Sequence, residues 1–294
     1  MSFSKIGCVI VLYEPQTEIL NKVLFSVSDQ VDSIFIADNS KFKNDLCILN
    51  KNYSIVYEKM PYNIGIAAAQ NVGIKYFIKN EYTHVIFLDQ DSIMDYGLVN
   101  QLMSDFQVLK KEGIQAGAIG PRPFNRNSKK KYRGSVKKGK VINEYITEVT
   151  ELISSSTLVP IQNFLDVGLL DEILFIDGVD HEWCWRGKKL YKLRFFISEK
   201  AQLSHFLGEG DRFFLIRDIA IPTPFRTYYQ FRNYFILLRR DYVPLYWKLT
   251  NGFKYLIKLF YYPVFIEPRY KYFSNIARGL KDGIFRKWIS RTID

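Results

Sequence analysis

HVIFLDQDS, residues 84–92, joins four consecutive apolar side chains to two aspartates that are separated by one residue. Such a run predicts a buried β-strand. Side chains at positions i and i+2 of an extended segment point to the same side, so Asp89 and Asp91 can converge just past the strand's end. Mg²⁺ and Mn²⁺ bind oxygen ligands, usually one or two carboxylates together with water and phosphates. The pattern therefore indicates either a divalent cation site or two solvated acids in a turn.

Strands and helices alternate through the first 92 residues. Apolar β-branched runs predict strands, and apolar residues at spacings of three and four predict amphipathic helices. This alternation favours an α/β fold with a parallel sheet that is covered by helices. The predicted strands are Gly7–Tyr13, Ser33–Ala37, Ile55–Glu58 and Val85–Leu88, and the predicted helices are Thr17–Gln30 and Ile64–Asn80.

Polar residues follow three of these strands at the point where each strand ends. Tyr13 and Glu14 follow the first strand, Asp38 and Asn39 the second, and 89–91 the fourth. Ligands of open parallel sheets bind beyond the carboxyl ends of the strands. We therefore expect these residues to line one ligand site.

The second half of the chain has a less regular pattern of apolar residues, and its composition changes near residue 225. The predicted elements are a helix at Gly97–Lys111, a strand at Ala118–Gly120, a surface loop at Arg122–Lys140, a strand at Ser154–Pro160, a loop at Asn163–Leu174 and a helix at Asp177–Leu190. From Phe225 the chain is rich in aromatic and basic residues, and we predict that it is helical. We expect a catalytic domain at 1–221, with a nucleotide half at about 1–92 and an acceptor half at about 93–221, followed by a helical appendage at 222–294.

Composition excludes several classes of protein. The 294 residues are 48% hydrophobic, which is enough for a large core. Three cysteines without a C-x-x-C pair indicate neither a disulfide framework nor a zinc site, so we expect a reducing, cytoplasmic location. The N-terminal apolar run reads as a core strand and not as a signal peptide. The best candidate for a membrane span, Leu256–Ile266, is too short and contains Lys258.

The net charge of +11 is unevenly distributed. Residues 222–294 hold 14 Lys and Arg against 4 Asp and Glu, and residues 121–140 hold nine basic residues and no acid. A basic excess of this kind suits an anionic partner such as a membrane surface, a phosphorylated substrate or a nucleic acid. A nucleic-acid-binding protein is disfavoured because it leaves the strand-end acids unexplained and because the chain lacks an RNA-recognition signature.

The ordered set of motifs resembles a family 2 glycosyltransferase of the GT-A fold, and in particular its bacterial rhamnosyltransferase branch. The match spans about residues 5–240. The motifs are VLYEP (11–15), IADNS (36–40), NIGIAAAQNVGI (63–74), FLDQDS (87–92), LFIDGVDHEWCWR (174–186), SHFLGEG (204–210) and YYQFRNYFILLRR (228–240).

The resemblance implies a nucleotide-sugar donor, with either dTDP or UDP as its nucleotide. It assigns Asp38 to the pyrimidine base, and Asp89 and Asp91 to an Mg²⁺ or Mn²⁺ ion that bridges the donor diphosphate. Asn63 and Gly65 would approach the nucleotide, although an ordinary helix start is the alternative interpretation of these two residues. The other strand-end residues expected to bind the donor are Tyr13, Asn39 and Gln90.

The second constellation, Asp177–Arg186, carries the expected acceptor side. Its counterpart in the family supplies the general base of an inverting displacement, and by this resemblance the base is Asp180. Glu182 and Asp177 are second choices for the base and candidate acceptor contacts. Trp183 would share a helix face with Asp180 and lie beneath the acceptor sugar. His205 either completes the metal or diphosphate site, as the family implies, or is structural.

The resemblance therefore predicts transfer of L-rhamnose from dTDP-L-rhamnose to a lipid-linked oligosaccharide during bacterial surface-polysaccharide synthesis. Related enzymes use UDP-galactose, UDP-glucose or UDP-galactofuranose, and these donors remain alternatives. A nucleotidyltransferase would use a similar sheet but normally has a Gly-rich phosphate loop near the first strand, which VLYEPQTE lacks. The basic, aromatic tail predicts peripheral binding to the inner face of the cell membrane, or else contact with the catalytic domain or a second subunit.

Overall fold

Parallel strands form the first half of a central sheet. The computed structural model describes residues 4–44, 54–125, 130–131, 139–205, 211–214 and 217–286. The parallel strands are β1 (Ile6–Leu12), β2 (Ser33–Asp38), β3 (Ile55–Lys59) and β4 (His84–Asp89). β1 lies between β2 and β4, and Val11 pairs with both Ala37 and Asp89. The polar segments that follow β1, β2 and β4 therefore lie side by side at one edge of the sheet.

The second half of the sheet is mixed in direction. Its strands are β5 (Ser92–Met94), β6 (Ala116–Asn125), β7 (Lys130–Lys131), β8 (Lys140–Asn143), β9 (Ile146–Val149), β10 (Leu158–Pro160) and β11 (Arg194–His205). The order across the sheet is β3-β2-β1-β4-β10-β6-β11-β9-β8, with β5 pairing β11 and β7 pairing β6. β10 is antiparallel to both of its neighbours, whereas β6 and β11 are parallel. A separate two-stranded sheet contains β12 (Asp211–Phe214) and β13 (Arg217–Ala220).

Helices cover both faces of the central sheet. In the described ranges they are α1 (Thr17–Ser28), α2 (Ile66–Lys79), α3 (Leu98–Lys111), α4 (Ile161–Val167), α5 (Val179–Tyr191), α6 (Pro224–Leu238), α7 (Leu245–Phe265) and α8 (Arg269–Phe285). One hydrophobic cluster joins the sheet to α1 and α3 and includes Leu24 and Leu102. The other joins it to α2, α4, α5 and α6 and includes Phe77, Trp185 and Leu237. This α/β architecture, with a mostly parallel sheet, confirms the fold class predicted from the sequence.

Two predictions for the second half were wrong. The segment Asn163–Leu174 is not a loop throughout, because α4 occupies 161–167 and buries Ile161, Phe164 and Val167 at helical spacing. The strand predicted at Ser154–Pro160 is shorter, since only 158–160 is extended. Of the predicted loop Arg122–Lys140, residues 126–129 and 132–138 lie outside the described residues.

The C-terminal helices are not a detached appendage. Ile236 and Leu237 of α6, with Val243 and Trp247, belong to the core cluster that also contains sheet residues. Helix α8 packs closely on α6 through two glycines: a Cβ atom on Gly279 would come within 2.5 Å of a backbone oxygen of α6. A further cluster lies wholly after residue 221 and contains Phe231, Tyr262, Ile266, Tyr272 and Ile276. The C-terminal helices thus have a small core of their own and also contribute to the core of the sheet, and the domain boundary expected at residue 221 stays a prediction.

Candidate active site

The two aspartates that carry the metal prediction lie at the carboxyl end of β4. Asp89 is half-buried, Asp91 is exposed, and β5 begins at the next residue, Ser92. The backbone N–H of Asp89 donates a hydrogen bond to Ser155 Oγ at 3.4 Å. This bond fixes the start of the D-x-D turn against the segment that precedes β10, while the carboxylate of Asp91 faces solvent.

Gln90, the middle residue of the turn, binds protein backbone. Its Oε1 accepts a hydrogen bond from the N–H of Tyr13 at 2.8 Å, and its Nε2 donates to the carbonyl of Tyr13 at 3.1 Å. Both polar groups of the amide are thus used to hold the turn against the end of β1. Tyr13 and Gln90 are both predicted to contact the donor. Of the two, Tyr13 has a surface that a ligand can reach, because its side chain is 56% exposed.

Asp38 is fully buried at the end of β2. Its carboxylate accepts hydrogen bonds from Ser40 N–H at 2.8 Å, from Asn44 Nδ2 at 2.9 Å and from the hydroxyl of Tyr57. Burial alone would raise the pKa of Asp38, but these hydrogen bonds outweigh it and lower the pKa. Burial and the bond to Asp38 also raise the pKa of Tyr57 to about 12. This geometry makes Asp38 a support for the loop after β2, and direct contact with a base stays a prediction.

Asn39 connects that loop to the start of α2. Its Nδ2 donates to the carbonyl of Gly65 at 3.1 Å, and its Oδ1 accepts from Ile64 N–H at 3.3 Å. Asn63 in turn accepts a hydrogen bond from Gly65 N–H at 3.0 Å. Asn39 is only 3% exposed. These contacts connect the loop after β2 to the start of α2, and binding of a donor by Asn39 and Asn63 stays a prediction.

Gly65 allows the segment around Phe175 to approach its backbone closely. Its φ is +88°, a conformation that favours glycine. A Cβ atom there would lie 2.6 Å from the ring of Phe175 and 2.9 Å from its carbonyl oxygen. That carbonyl accepts the N–H of Ile66 at 2.8 Å and so satisfies the first turn of α2. The glycine thus joins the donor half to the segment that precedes α5.

The candidate base Asp180 lies in the first turn of α5, close to the D-x-D turn. Its Oδ2 accepts a hydrogen bond from the N–H of Ser154 at 3.2 Å, and the neighbouring Ser155 is the partner of Asp89. Two consecutive serines therefore connect the candidate base to the candidate metal ligand. Asp180 is half-buried and borders a small cavity with mostly apolar walls. The structure thus brings Asp180 close to the D-x-D turn at 89–91, as expected if both motifs line one ligand site.

Arg226 of α6 places a cation among these acids. Its guanidinium makes a two-pronged ion pair with Asp177, with Nε and Nη2 at 2.9 and 2.6 Å from Oδ1. Pairing with Asp177 raises the pKa of Arg226 against the opposing effect of burial, and the charges of Asp180 and Asp89 raise it further. The side chain of Arg226 is 51% exposed. Arg226 therefore neutralises the charge of Asp177 and reduces the repulsion among the three carboxylates.

Glu182 and Trp183, both expected to contact the acceptor, point into the protein. Glu182 is 1% exposed and binds Arg186 at 2.9 Å, Arg240 at 3.1 Å and the hydroxyl of Tyr242 at 2.6 Å. These contacts tie α5 to the segment after α6. We therefore assign Glu182 a structural role in place of the acceptor contact.

Trp183 is likewise 4% exposed. Its Nε1 donates to the carbonyl of Gly168 at 2.9 Å, and its ring packs on Phe164 with centroids 4.9 Å apart. Trp183 and Asp180 border the same small cavity. The indole ring packs toward α4, however, so the structure places the tryptophan in the core and not on an accessible surface.

Helix α6 holds the segment before α5 through groups that sequence reasoning did not assign. Asn233 Nδ2 lies within 2.9 Å of three carbonyl oxygens, those of Leu174, Ile176 and Asp177. Arg232 Nη2 donates to the carbonyls of Ile173 and Leu174. The motif containing Arg232 and Asn233 had been noted, but its acceptors are backbone atoms, which carry no sequence signature.

We expect Asn233→Ala to lower the free energy of unfolding by about 2–4 kcal/mol, because the part-buried carbonyls of Ile176 and Asp177 lose this donor, while the carbonyl of Leu174 keeps Arg232. Urea denaturation measures the loss. The matched control is Asn275→Ala on α8, where the amide donates to the carbonyl of Lys271 within its own helix. There the change should stay within about 0.5 kcal/mol. Equal losses in the two variants would contradict the anchoring role.

The donor set fits a divalent cation that shares its coordination with a ligand. Among the described residues no group of three or more His, Cys, Asp and Glu side chains is arranged to hold a metal by itself. Asp89 and Asp91 supply two carboxylates, which is the usual protein contribution when phosphates and water complete the coordination of Mg²⁺ or Mn²⁺. The backbone of His205 pairs with Ser92, next to the turn, while its side chain lies outside the described part.

Comparisons with known proteins agree with this fold. No family model matches the chain. The chain is 33% identical over 254 residues to the dTDP-rhamnosyl transferase RfbF of Shigella flexneri, covering 82% of each protein. Its structure resembles S. aureus TarS 1-349 in complex with UDP-GlcNAc, with a TM-score of 0.56 at 16% identity, covering 94% of this chain and 81% of that one.

A second solved structure, GalNAc-T7 with UDP, GalNAc and Mn²⁺, has a TM-score of 0.55 at 13% identity. The match covers 90% of this chain and 57% of the longer GalNAc-T7 chain. At these identities the structural likeness establishes the GT-A fold, and the closer sequence relative establishes the family. The chain therefore belongs to the GT-A glycosyltransferases, in the family of the rhamnosyl transferase RfbF.

Proposed function

We propose that this glycosyltransferase moves L-rhamnose from dTDP-L-rhamnose to a lipid-linked oligosaccharide, with inversion at the anomeric carbon, in bacterial surface-polysaccharide synthesis. The observation that carries the reaction type is the pair of serines, 154 and 155, that bind Asp180 and Asp89. A base and a metal ligand held by neighbouring residues suit the attack of an acceptor on a donor diphosphate. The donor is proposed from the named activity of the 33% identical relative.

The donor would lie over the carboxyl ends of β1, β2 and β4. Tyr13 offers an exposed ring to the nucleotide, while Asp38 and Asn39 hold the loops around it. Asp89 and Asp91 would hold Mg²⁺ or Mn²⁺ against the diphosphate, where the cation supplies charge neutralisation for the leaving nucleoside diphosphate. Arg226 would keep Asp177 neutralised beside this group and so reduce its repulsion of the diphosphate.

Asp180 would act on the acceptor. Its carboxylate accepts the proton of the attacking hydroxyl while the acceptor oxygen bonds to the anomeric carbon and the carbon–diphosphate bond breaks. Ser154 N–H donates to Oδ2 at 3.2 Å and His181 N–H donates to Oδ1 at 2.9 Å, so two backbone groups fix the orientation of the carboxylate, and each oxygen keeps a lone pair for the acceptor proton. Asp177, bound by Arg226, would stay a neighbour of the acceptor and not the base, because its carboxylate is already paired.

Ligand-dependent protection from thermal unfolding tests the donor. We expect dTDP-L-rhamnose with Mn²⁺ or Mg²⁺ to raise the unfolding temperature more than UDP-galactose, UDP-glucose or UDP-galactofuranose does. The increase should vanish with EDTA and in the Asp91→Asn variant. Stronger protection by a UDP-sugar would replace the proposed donor, and protection by none of these donors, with or without metal, would contradict the assignment to nucleotide-sugar transfer.

A further inference from the structure

One face of α7 is apolar and exposed along the whole helix. Seven side chains on this face are between 46% and 69% exposed: Leu245, Leu249, Phe253, Leu256, Ile257, Phe260 and Val264. At about 100° per residue they occupy an arc of roughly 120°. The opposite face packs inward through Trp247 and Tyr262. We call the exposed residues the α7 face.

The α7 face is larger than an incidental surface patch. The helix has 21 residues and so extends about 30 Å. Exposed apolar patches of this extent mark sites of interaction with a protein or a membrane. Within the described ranges, no helix is both long enough and apolar enough to pass through a bilayer. An occupant of this face must therefore cover a helix from one side.

The charge around the α7 face identifies the chemistry of the occupant. Residues 245–286 contain eight Lys and Arg against two Asp and Glu. Lys254 is exposed on α7 itself, and α8 adds the exposed Arg269, Lys271, Arg278 and Lys281. Two copies of the chain paired face to face would bring these cations together, which costs energy, whereas an anionic lipid surface would neutralise them.

We propose that α7 lies flat in the headgroup region of an anionic bilayer, with the α7 face toward the acyl chains. An amphipathic helix with Phe and Leu on one side and cations beside them binds membranes in this way. The inference extends the proposed function, because a lipid-linked acceptor lies at such a surface. Since α6 both precedes α7 and holds the segment before Asp180, docking would keep the candidate base near the bilayer.

Co-sedimentation of the full chain with vesicles tests the docking. The vesicles consist of phosphatidylcholine alone or of phosphatidylcholine with phosphatidylglycerol, at low and high salt. The test variant is Leu249→Ser/Phe253→Ser/Phe260→Ser, in which each replaced side chain is at least 65% exposed. The matched control is Phe25→Ser/Phe42→Ser/Leu165→Ser, which removes two Phe and one Leu that are 57–72% exposed elsewhere.

The wild type and the control should sediment with phosphatidylglycerol vesicles, and less so at high salt. The test variant should bind on the order of tenfold more weakly because it loses the inserted side chains. Equal binding by the test variant, or no sedimentation of the wild type, would overturn the proposal. Light scattering that shows a lipid-free dimer, which the test variant converts to a monomer, would assign the α7 face to a second copy and overturn it as well.

Sugar transfer to a water-soluble acceptor analogue measures the proposed reaction independently of membrane docking by α7. The test variant should keep this activity, because none of its three positions lies in the site. Loss of transfer in wild type and variant alike would contradict the reaction while leaving vesicle binding as the measure of docking.

Discussion

Asp180→Asn should lower kcat by at least about 10²-fold while leaving the affinity for the donor nearly unchanged, because a general base acts on the transition state. The substitution keeps the size of the side chain and one of its two hydrogen bonds from the N–H groups of Ser154 and His181, so the fold should persist with a loss of about 1 kcal/mol of stability. Steady-state kinetics give kcat, and calorimetry with the nucleoside diphosphate gives the affinity.

Asp166→Asn is the matched control for Asp180. Asp166 is an exposed aspartate on α4 that accepts a hydrogen bond from Gln162, so its replacement should leave kcat unchanged. NMR of the product linkage provides a second criterion. Retention of the donor's anomeric configuration, or near-normal kcat in Asp180→Asn, would remove Asp180 from the role of base in a single displacement.

Asp91→Asn should weaken metal-dependent binding of the donor more than any other single change at the D-x-D turn, because Asp91 is the exposed carboxylate. Loss of a partner outside the coordination shell already costs about 10–100-fold in metal affinity, and loss of a direct ligand should cost no less. Titration of Mn²⁺ at a fixed concentration of dTDP, followed by calorimetry, measures the effect without reference to turnover.

Asp29→Asn, at the exposed end of α1, controls for a general loss of negative charge. It should titrate like the wild type. A wild type that is indifferent to EDTA, together with normal binding of dTDP by Asp91→Asn, would show that the turn does not hold a metal.

The parallel half of the fold could be predicted because its signals are local. Runs such as residues 7–12 and 85–88 are largely buried on both faces, and the breaks after them fall at polar residues, so strand ends could be assigned within about two residues. The antiparallel strand β10 could not be recognised. It has three residues, and its partners β4 and β6 are distant in the sequence.

The candidate site was predictable in its acids but not in their supports. Asp89 and Asp91 followed from the strand pattern and the i, i+2 spacing, and Asp180 followed from the family resemblance; the roles of all three stay predictions. The burial of Glu182 did not, because it depends on Arg240 and Tyr242, about 60 residues later in the chain. The anchoring role of Asn233 could not be predicted from the sequence either. Its partners are backbone carbonyl oxygens, and their orientation depends on the positive φ of Phe175 and Asp177.

Phe175 connects segments that are far apart in the sequence, which should limit the exchange of segments between related transferases. Its carbonyl satisfies the start of α2, and its ring stacks on Tyr229 of α6 with centroids 4.5 Å apart. A single residue in the middle of the chain thus contacts α2 in the first third of the chain and α6 in the last third. A chimera that took its donor-binding half from one transferase and its C-terminal helices from another would have to match both sides of this residue. Recombination between relatives should therefore succeed only when residues 63–67, 173–177 and 226–233 are inherited together.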